Sequence, residues 1–360
     1  MKGCIRRKWL ISVLICLLCA AVAVWAVQMT PPASPLPGTS DRRLIRLWAV
    51  SAPGGGMAWL KERLAAWGKT HPDVSVYLRR ISPQEANQPE NVWPDAVLWM
   101  PGDFSSPEAF TPLKTDAPML PSLMRCGQSR MEQYALSLCW EGWAVAVHGE
   151  YLDTPAATRE PAALLGRPAA TEAPPQTTPS FPEKARAAEA PLLWASGGGL
   201  FTLRQMIPDP PSMPDASGLT QEQVYQRFRN QQCASALLTT GQITALQSIS
   251  VPLMTLTPHE VVTERVWLAS LCRDACPEAA ELLSFLASAA SQQTLSQQGL
   301  FTARDDLKLY ASGMHAAVES AAGNALTAPN AFLPAEQVQS AAWQAYQGDV
   351  PLEEALLPML

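Results

Sequence analysis

Five tryptophans, Trp48, Trp99, Trp140, Trp143 and Trp194, stand at strand ends, in bends or beside glycine runs. In such places an indole offers a ligand a flat apolar face and an N–H donor. The sharpest setting is Trp140-Glu141-Gly142-Trp143, within YALSLCWEGWAVAVHGEYLD from Tyr134 to Asp153. Gly142 permits an abrupt change of direction, so two rings and a carboxylate can be turned into one wall of a cleft. Trp194 precedes Gly197-Gly198-Gly199, as Trp48 precedes Gly54-Gly55-Gly56, and two such loops could face each other. The candidate ligand-binding residues are therefore Trp48, Trp99, Trp140, Glu141, Trp143, Trp194 and Gly197. The competing reading of any one tryptophan is ordinary burial in a core.

Other chemistries find less support. The four histidines, His71, His148, His259 and His315, are scattered, and neither G-x-S-x-G nor H-E-x-x-H occurs. His148 beside Glu150 is a local pair only, so no enzyme is expected. Gly54-Gly55-Gly56 lacks the Gly-Lys-Ser/Thr ending of a phosphate loop and the spacing G-x-G-x-x-G, and it reads as a strand-to-helix turn. Five cysteines follow the N-terminal segment: Cys126, Cys139, Cys233, Cys272 and Cys276. No histidine stands at ligand spacing from any pair of them, which argues against a metal site. In an exported chain Cys272 with Cys276, and Cys126 with Cys139, could close small loops, leaving Cys233 unpaired. No cofactor is expected.

The N-terminus sets the compartment. Lys2, Arg6, Arg7 and Lys8 precede an uncharged apolar run from Trp9 to Val27, long enough as a helix to cross a bilayer core of about 30 Å. The positive flank keeps that end cytoplasmic and sends the rest outside. Residues 1–29 are thus an anchor or signal segment, with Ala21-Val22-Ala23 as a site where cleavage could occur. Residues 30–41 are a Pro/Ser/Thr/Gly linker. Without the four basic residues of the segment, the 26 Lys and Arg against 32 Asp and Glu give a net charge of about −10. Nucleic acid is an unsuitable partner for such a surface.

At 360 residues and 48% hydrophobic side chains, the chain has material for about two domains. Arg43 to Val50 is strand-like, Met57 to Lys69 is an amphipathic helix with Met57, Leu60, Leu64 and Trp67 on one face, and Val74, Val76 and Leu78 alternate in a second strand. With a third strand from Ala96 to Met100, this predicts a right-handed βαβ crossover and a parallel sheet. Tyr134 to Asp153 predicts two strands and a crossing between lobes. Twelve prolines lie between Pro155 and Pro214, and residues 167–191 are expected to be a disordered insertion. Thr220-Gln221-Glu222-Gln223 is a capping box opening a helix. Further on, a strand is expected over Cys233 to Thr239, a helix over Gln242 to Ser248, a strand over Val262 to Leu271, and one helix over Pro277 to Gln298 stopped by Gly299. Final helices are expected at Pro334 to Gln347 and Leu352 to Leu357.

Laid out in this way, the chain resembles the extracellular solute-binding proteins of family 1, the maltose-binding-like group that serves ABC importers. Four stretches carry the likeness: Trp67 to Val76 with Pro94-Asp95-Ala96-Val97; Tyr134 to Asp153; Phe228 to Leu238; and, most specific, Pro277 to Arg304. The departures are Val147-His148 where the family has Tyr-Asn, Gln231-Gln232 for Gly-Lys, Thr302 for a proline, and no lipobox.

The resemblance implies an α/β, two-lobed periplasmic-binding-protein-like fold of type II, with mixed sheets flanked by helices and an N-terminal transmembrane or signal segment before them. It places lobe 1 at residues 42–143 plus about 251–304, and lobe 2 at 144–250 plus about 305–360. It implies a membrane-anchored, extracytoplasmic protein that closes on a small solute, with sugar rings suited to stacking on the tryptophans, and hands it to ABC permease subunits. The alternative is a degenerate solute-binding-like scaffold or sensor that keeps the fold without a transport role.

Overall fold

The structure, a computed structural model, describes residues 43–88, 93–149, 192–195, 198–206 and 218–359. The expected anchor at 1–29, the linker at 30–41, the insertion at 167–191 and Gly197 lie outside the described residues. Among the described residues no helix is long and apolar enough to cross a membrane.

The chain is mixed α/β. β1 (Arg43–Ala49) leads through Gly55, held at φ 77°, into α1 (Gly56–Thr70), and β2 (Val74–Arg80) follows. The left-handed conformation at Gly55 suits glycine and turns the strand sharply into the helix. β3 (Ala96–Trp99) is buried throughout and runs parallel to β1, with Leu47 opposite Ala96 and Ala49 opposite Leu98. β4 (Phe110–Thr111) and α2 (Pro121–Cys126) come next, then the hairpin of β5 (Gln128–Ser129) and β6 (Glu132–Gln133). β7 (Leu136–Trp140) ends at the predicted crossing. Two residues later β8 (Trp143–His148) begins in a different sheet.

The second half supplies β9 (Leu192–Leu193), α3 (Leu200–Met206), α4 (Gln221–Arg229), β10 (Ser235–Thr239), α5 (Thr240–Ser248) and β11 (Leu253–Leu256). β12 (Val261–Val262) then leads to β13 (Val266–Cys272), α6 (Pro277–Ala287), α7 (Ala289–Gln292) and, after a 3-10 turn at Gln293–Gln298, β14 (Phe301–Thr302). α8 (Gly313–Asn324), β15 (Leu326–Thr327), α9 (Ala335–Gln347) and α10 (Leu352–Leu356) finish the chain.

These strands form a seven-stranded sheet in the order β14-β7-β13-β3-β1-β2, with β4 on β13, and a four-stranded sheet in the order β11-β8-β10-β9. β13 is antiparallel to β3 and β7, so the large sheet is mixed rather than parallel throughout. β8 is central in the small sheet, antiparallel to β10 and β11. β12 and β15 pair in parallel beside these sheets. The small sheet buries both faces. Ala144, Ala146, Phe228 and Ile243 join one apolar core, while Trp143, Val145, Leu203 and Tyr346 join another.

Three sequence expectations are corrected. The single strand over Val262 to Leu271 is two strands, because Val261–Val262 pairs with β15 while Val266 onward pairs with β7 and β3, and Thr263 to Arg265 pass between the two ladders. The single helix over Pro277 to Gln298 breaks at Ser288, whose backbone is extended and whose hydroxyl accepts from the Ser291 amide, capping a new helix. The five cysteines are all free thiols, so neither proposed pair closes a loop. Burial pushes the thiols of Cys126, Cys233 and Cys272 up to about 12. The capping box at Thr220 and Gln223 is present, and a second, at Thr239 and Gln242, opens α5.

Candidate functional site

Glu141 lies between β7 and β8, and its side chain is wholly buried. A lone buried carboxylate would be costly, and this one is fully partnered. Oε2 accepts from Arg265 Nε at 2.6 Å, and Oε1 accepts from the Thr239 hydroxyl at 3.1 Å. The backbone is tied as well: the Thr263 hydroxyl donates to the Glu141 carbonyl at 2.6 Å, and the Glu141 amide donates to the Arg265 carbonyl at 3.0 Å. Thr239 is also the N-cap of α5, so the carboxylate sits where the positive end of the helix dipole favours it.

Two glycines make room for this arrangement. A Cβ on Gly241, in the first turn of α5, would stand 2.6 Å from Glu141 Oε1 and 3.3 Å from the Gly54 carbonyl oxygen. One on Gly54 would stand 3.1 Å from the same carboxylate oxygen. The first glycine loop thus meets α5 and Glu141, and its near neighbour is Gly241 rather than the second glycine loop.

That second loop builds the other side of the crossing. The Gly199 amide donates to Glu264 Oε1 at 2.8 Å, and a Cβ on Gly198 would lie 2.5 Å from that oxygen and 2.9 Å from the Trp143 ring. Arg265 lies over the same indole, 5.7 Å from its centroid. Burial raises the Glu264 carboxyl above the ordinary glutamate range, against the opposing pull of the Gly199 amide and the Arg265 charge. The Trp143 indole is close enough to favour the ionised carboxylate, yet its N–H makes no hydrogen bond of normal geometry. Trp143 Nε1 and Glu264 Oε2 make no hydrogen bond of normal geometry, though the two groups lie close enough to interact, and Trp194 Nε1 is likewise buried without one, against Tyr346.

The other sequence candidates occupy different settings. Trp140 is buried, stacks on Phe301 at 4.3 Å and donates its indole N–H to the Thr302 carbonyl at 3.0 Å. Trp99 is buried beneath Phe104, Phe110 and Phe332, with centroids 5.2, 5.8 and 5.2 Å away, and donates to the Ser270 hydroxyl. Trp48 is buried and stacks on Trp93. Trp194 is buried against Tyr346. The structure therefore gathers Glu141 and Trp143 around Arg265 and leaves Trp48, Trp99 and Trp140 packed among their own neighbours.

Sequence reasoning missed Arg265, Glu264, Thr239 and Gly241. A signal existed for three of them: Thr239-x-x-Gln242 is a capping box, and the polar Thr263-Glu264-Arg265 interrupts an apolar run. It also missed a pair of residues on the loops that follow β1 and β3. The Ser51 hydroxyl donates to Asp103 Oδ1 at 3.0 Å, and the Met100 amide donates to Oδ2 at 2.8 Å. Burial raises the Asp103 carboxyl above its ordinary range. The ends of parallel strands are where ligands meet open α/β sheets, so Ser51 and Asp103 join the candidate set.

The chain matches no protein-family model and no curated protein. Among solved structures it is similar to the GacH receptor of Streptomyces glaucescens, determined unliganded and with acarbose, at 15% identity over 88% of this chain and 96% of that one, with a TM-score of 0.57. It is similar to maltose-bound MalE3 of T. maritima at 13% identity over 88% and 98%, with a TM-score of 0.58. A protein from a study of xylan utilization by Caldanaerobius polysaccharolyticus gives 14% identity over 88% and 98%, with a TM-score of 0.59. At these identities the likeness is one of fold.

Proposed function

We propose that this chain is a divergent extracytoplasmic solute-binding protein of the maltose-binding-like type, anchored or exported by its N-terminal segment. In this reading it takes a hydroxyl-rich solute of the carbohydrate class between two lobes and hands it to ABC permease subunits. The observation that carries the reading is Trp143 at the bend after Glu141, with Arg265 over its ring and the Glu264 carboxylate beside its N–H. An indole face with donors and a carboxylate around it suits a sugar, whose hydroxyls both give and take hydrogen bonds while its ring stacks. The fold likeness to proteins solved with acarbose and with maltose supports the same class.

Titration of the exported chain with neutral oligosaccharides, followed by tryptophan emission and thermal shift, tests this. A saturable change with at least one sugar is expected, and silence across the panel rejects the reading.

One observation favours the second reading, a scaffold or sensor that has lost its solute. Glu141 is saturated by Arg265 and Thr239. A crossing so filled by its own side chains would leave the thermal shift flat for every sugar.

A further inference from the structure

At the end of the large sheet away from Glu141, β13 finishes at Cys272 opposite Phe110 of β4, and Arg273 follows. An open groove of about 610 Å³ lies there, bounded in part by Glu108, Phe110, Arg130, Tyr134, Arg273 and Phe332. The other end of β13, Val266, pairs with Trp140 at the crossing. At about 3.4 Å per residue the groove is roughly 20 Å from Glu141, and it shares no residue with the site described above.

Three rings border it: Tyr134, half-buried, from the approach to β7, backed by the buried Phe332 of the segment after β15 and the buried Phe110 of β4. Phe110 and Phe332 have centroids 6.4 Å apart, and Tyr134 meets Phe332 edge-on at 6.4 Å. Arg130 is delivered by the β5–β6 hairpin, whose two turn residues, Arg130 and Met131, both have positive φ, 50° and 71°. Such a turn normally takes Asn-Gly, so side chains here are held against backbone preference. The hairpin is braced from outside: Asn330 Nδ2 donates to the Gln128 carbonyl at 2.8 Å, and Gln133 Nε2 to the Met124 carbonyl at 3.1 Å.

Arg130 and Arg273 both lie along the groove, whose lining holds one carboxylate, Glu108, while Glu132 stands at its edge with Oε2 accepting from the Tyr134 hydroxyl. The hydrogen bond to Glu132 raises the Tyr134 hydroxyl above the ordinary tyrosine range, and the charges of both arginines oppose that rise, so both fields converge on one ring. Among the described residues neither guanidinium has an ion-pair or hydrogen-bond partner.

We infer that this groove is a second binding site, for a ligand carrying a carboxylate on a ring. Tyr134, with Phe332 and Phe110 packed behind it, takes the apolar face of the ring, and Arg130 and Arg273 take the carboxylate, for which the guanidinium fork is the matching donor. An acidic sugar and an aromatic acid share this chemistry, and two probes separate them.

The exported chain is titrated with galacturonate and with benzoate, and with the neutral counterparts galactose and benzamide, by calorimetry and ligand-observed NMR. At least one acid is expected to bind, its neutral counterpart about tenfold more weakly, and the double variant R130A/R273A about tenfold more weakly than the parent chain at unchanged melting temperature. Both arginines are exposed, so the double variant keeps its fold. The inference is overturned if neither acid binds at millimolar concentration, if the neutral counterparts bind equally well, or if R130A/R273A binds the acids as the parent does.

Discussion

Arg265 reaches back from the segment before β13 to place its Nε 2.6 Å from Oε2 of Glu141, a carboxylate with no exposed surface at the bend between β7 and β8. The pair joins two stretches of chain far apart in sequence where β7 of the large sheet gives way to β8 of the small one. Removing the cation alone strands a buried charge. Arg265→Met should therefore cost about 3–5 kcal/mol in urea unfolding, and the double variant E141Q/R265M should recover most of it. Equal losses for the single and double variants would show that the ion pair contributes nothing specific.

Gly241 tests the same carboxylate from the other side. Inside a helix, Gly→Ala normally stabilises by roughly 0.5–1 kcal/mol. Here the new methyl would meet Glu141 Oε1 at 2.6 Å, and the carboxylate is pinned at Oε1 by Thr239 and at Oε2 by Arg265. G241A should lower the melting temperature of the parent chain and should be less harmful when paired with E141A. A stabilising G241A in the parent chain would mean that the carboxylate moves freely.

Glu264 gives a pH dependence of known sign. Its folded carboxyl titrates above the unfolded value of about 4.3, so the folded state holds the proton more tightly. The group therefore favours folding fully below the unfolded value, and that contribution is lost as pH rises through the raised folded value. Glu264→Gln removes the loss, since its amide stays neutral and its oxygen can still accept from Gly199. The stability difference, E264Q minus parent, should grow from pH 4 to pH 8 in chemical denaturation. A difference that is flat across this range rejects the buried-charge account.

The cysteines separate burial from pairing. Cys276 is the least buried of the five thiols, and Cys126, Cys233 and Cys272 are pushed up to about 12 by burial. At pH 8 under native conditions, mass spectrometry after alkylation should find Cys276 labelled first among these five, with the buried ones modified only on unfolding. A 272–276 disulfide in the untreated protein would refute the free-thiol arrangement.

The elements were legible where one physical signal sufficed. The βαβ opening follows from apolar periodicity and the turn at Gly55, and the capping box at Thr220 marks α4 without help from tertiary structure. What stayed hidden depends on partners distant in sequence. Ser288 breaks a helix that its neighbours would continue, because its hydroxyl competes for a backbone amide. Arg265 and Thr239 become site residues only when Glu141 is placed between them. The tryptophans were found by type, but type does not say whether an indole faces a cleft or a core: Trp140 spends its N–H on Thr302, whereas Trp143 leaves its own unspent.

That contrast gives the last prediction. If a sugar seats at the crossing, Trp143→Phe keeps an aromatic face under Gly198 and Gly199 but removes an indole donor that makes no hydrogen bond of normal geometry in the fold. For any oligosaccharide that binds the parent chain, W143F should bind about tenfold more weakly, the scale of one buried hydrogen bond, while its own melting temperature holds or rises because an unsatisfied buried N–H is gone. Trp140→Phe should behave in the opposite way. It leaves the Thr302 carbonyl without its donor, so it should lower stability by about 1–3 kcal/mol and leave affinity nearly unchanged. Paired thermal melts and sugar titrations on the two variants decide the matter, and an affinity loss confined to W140F would move the site away from Trp143.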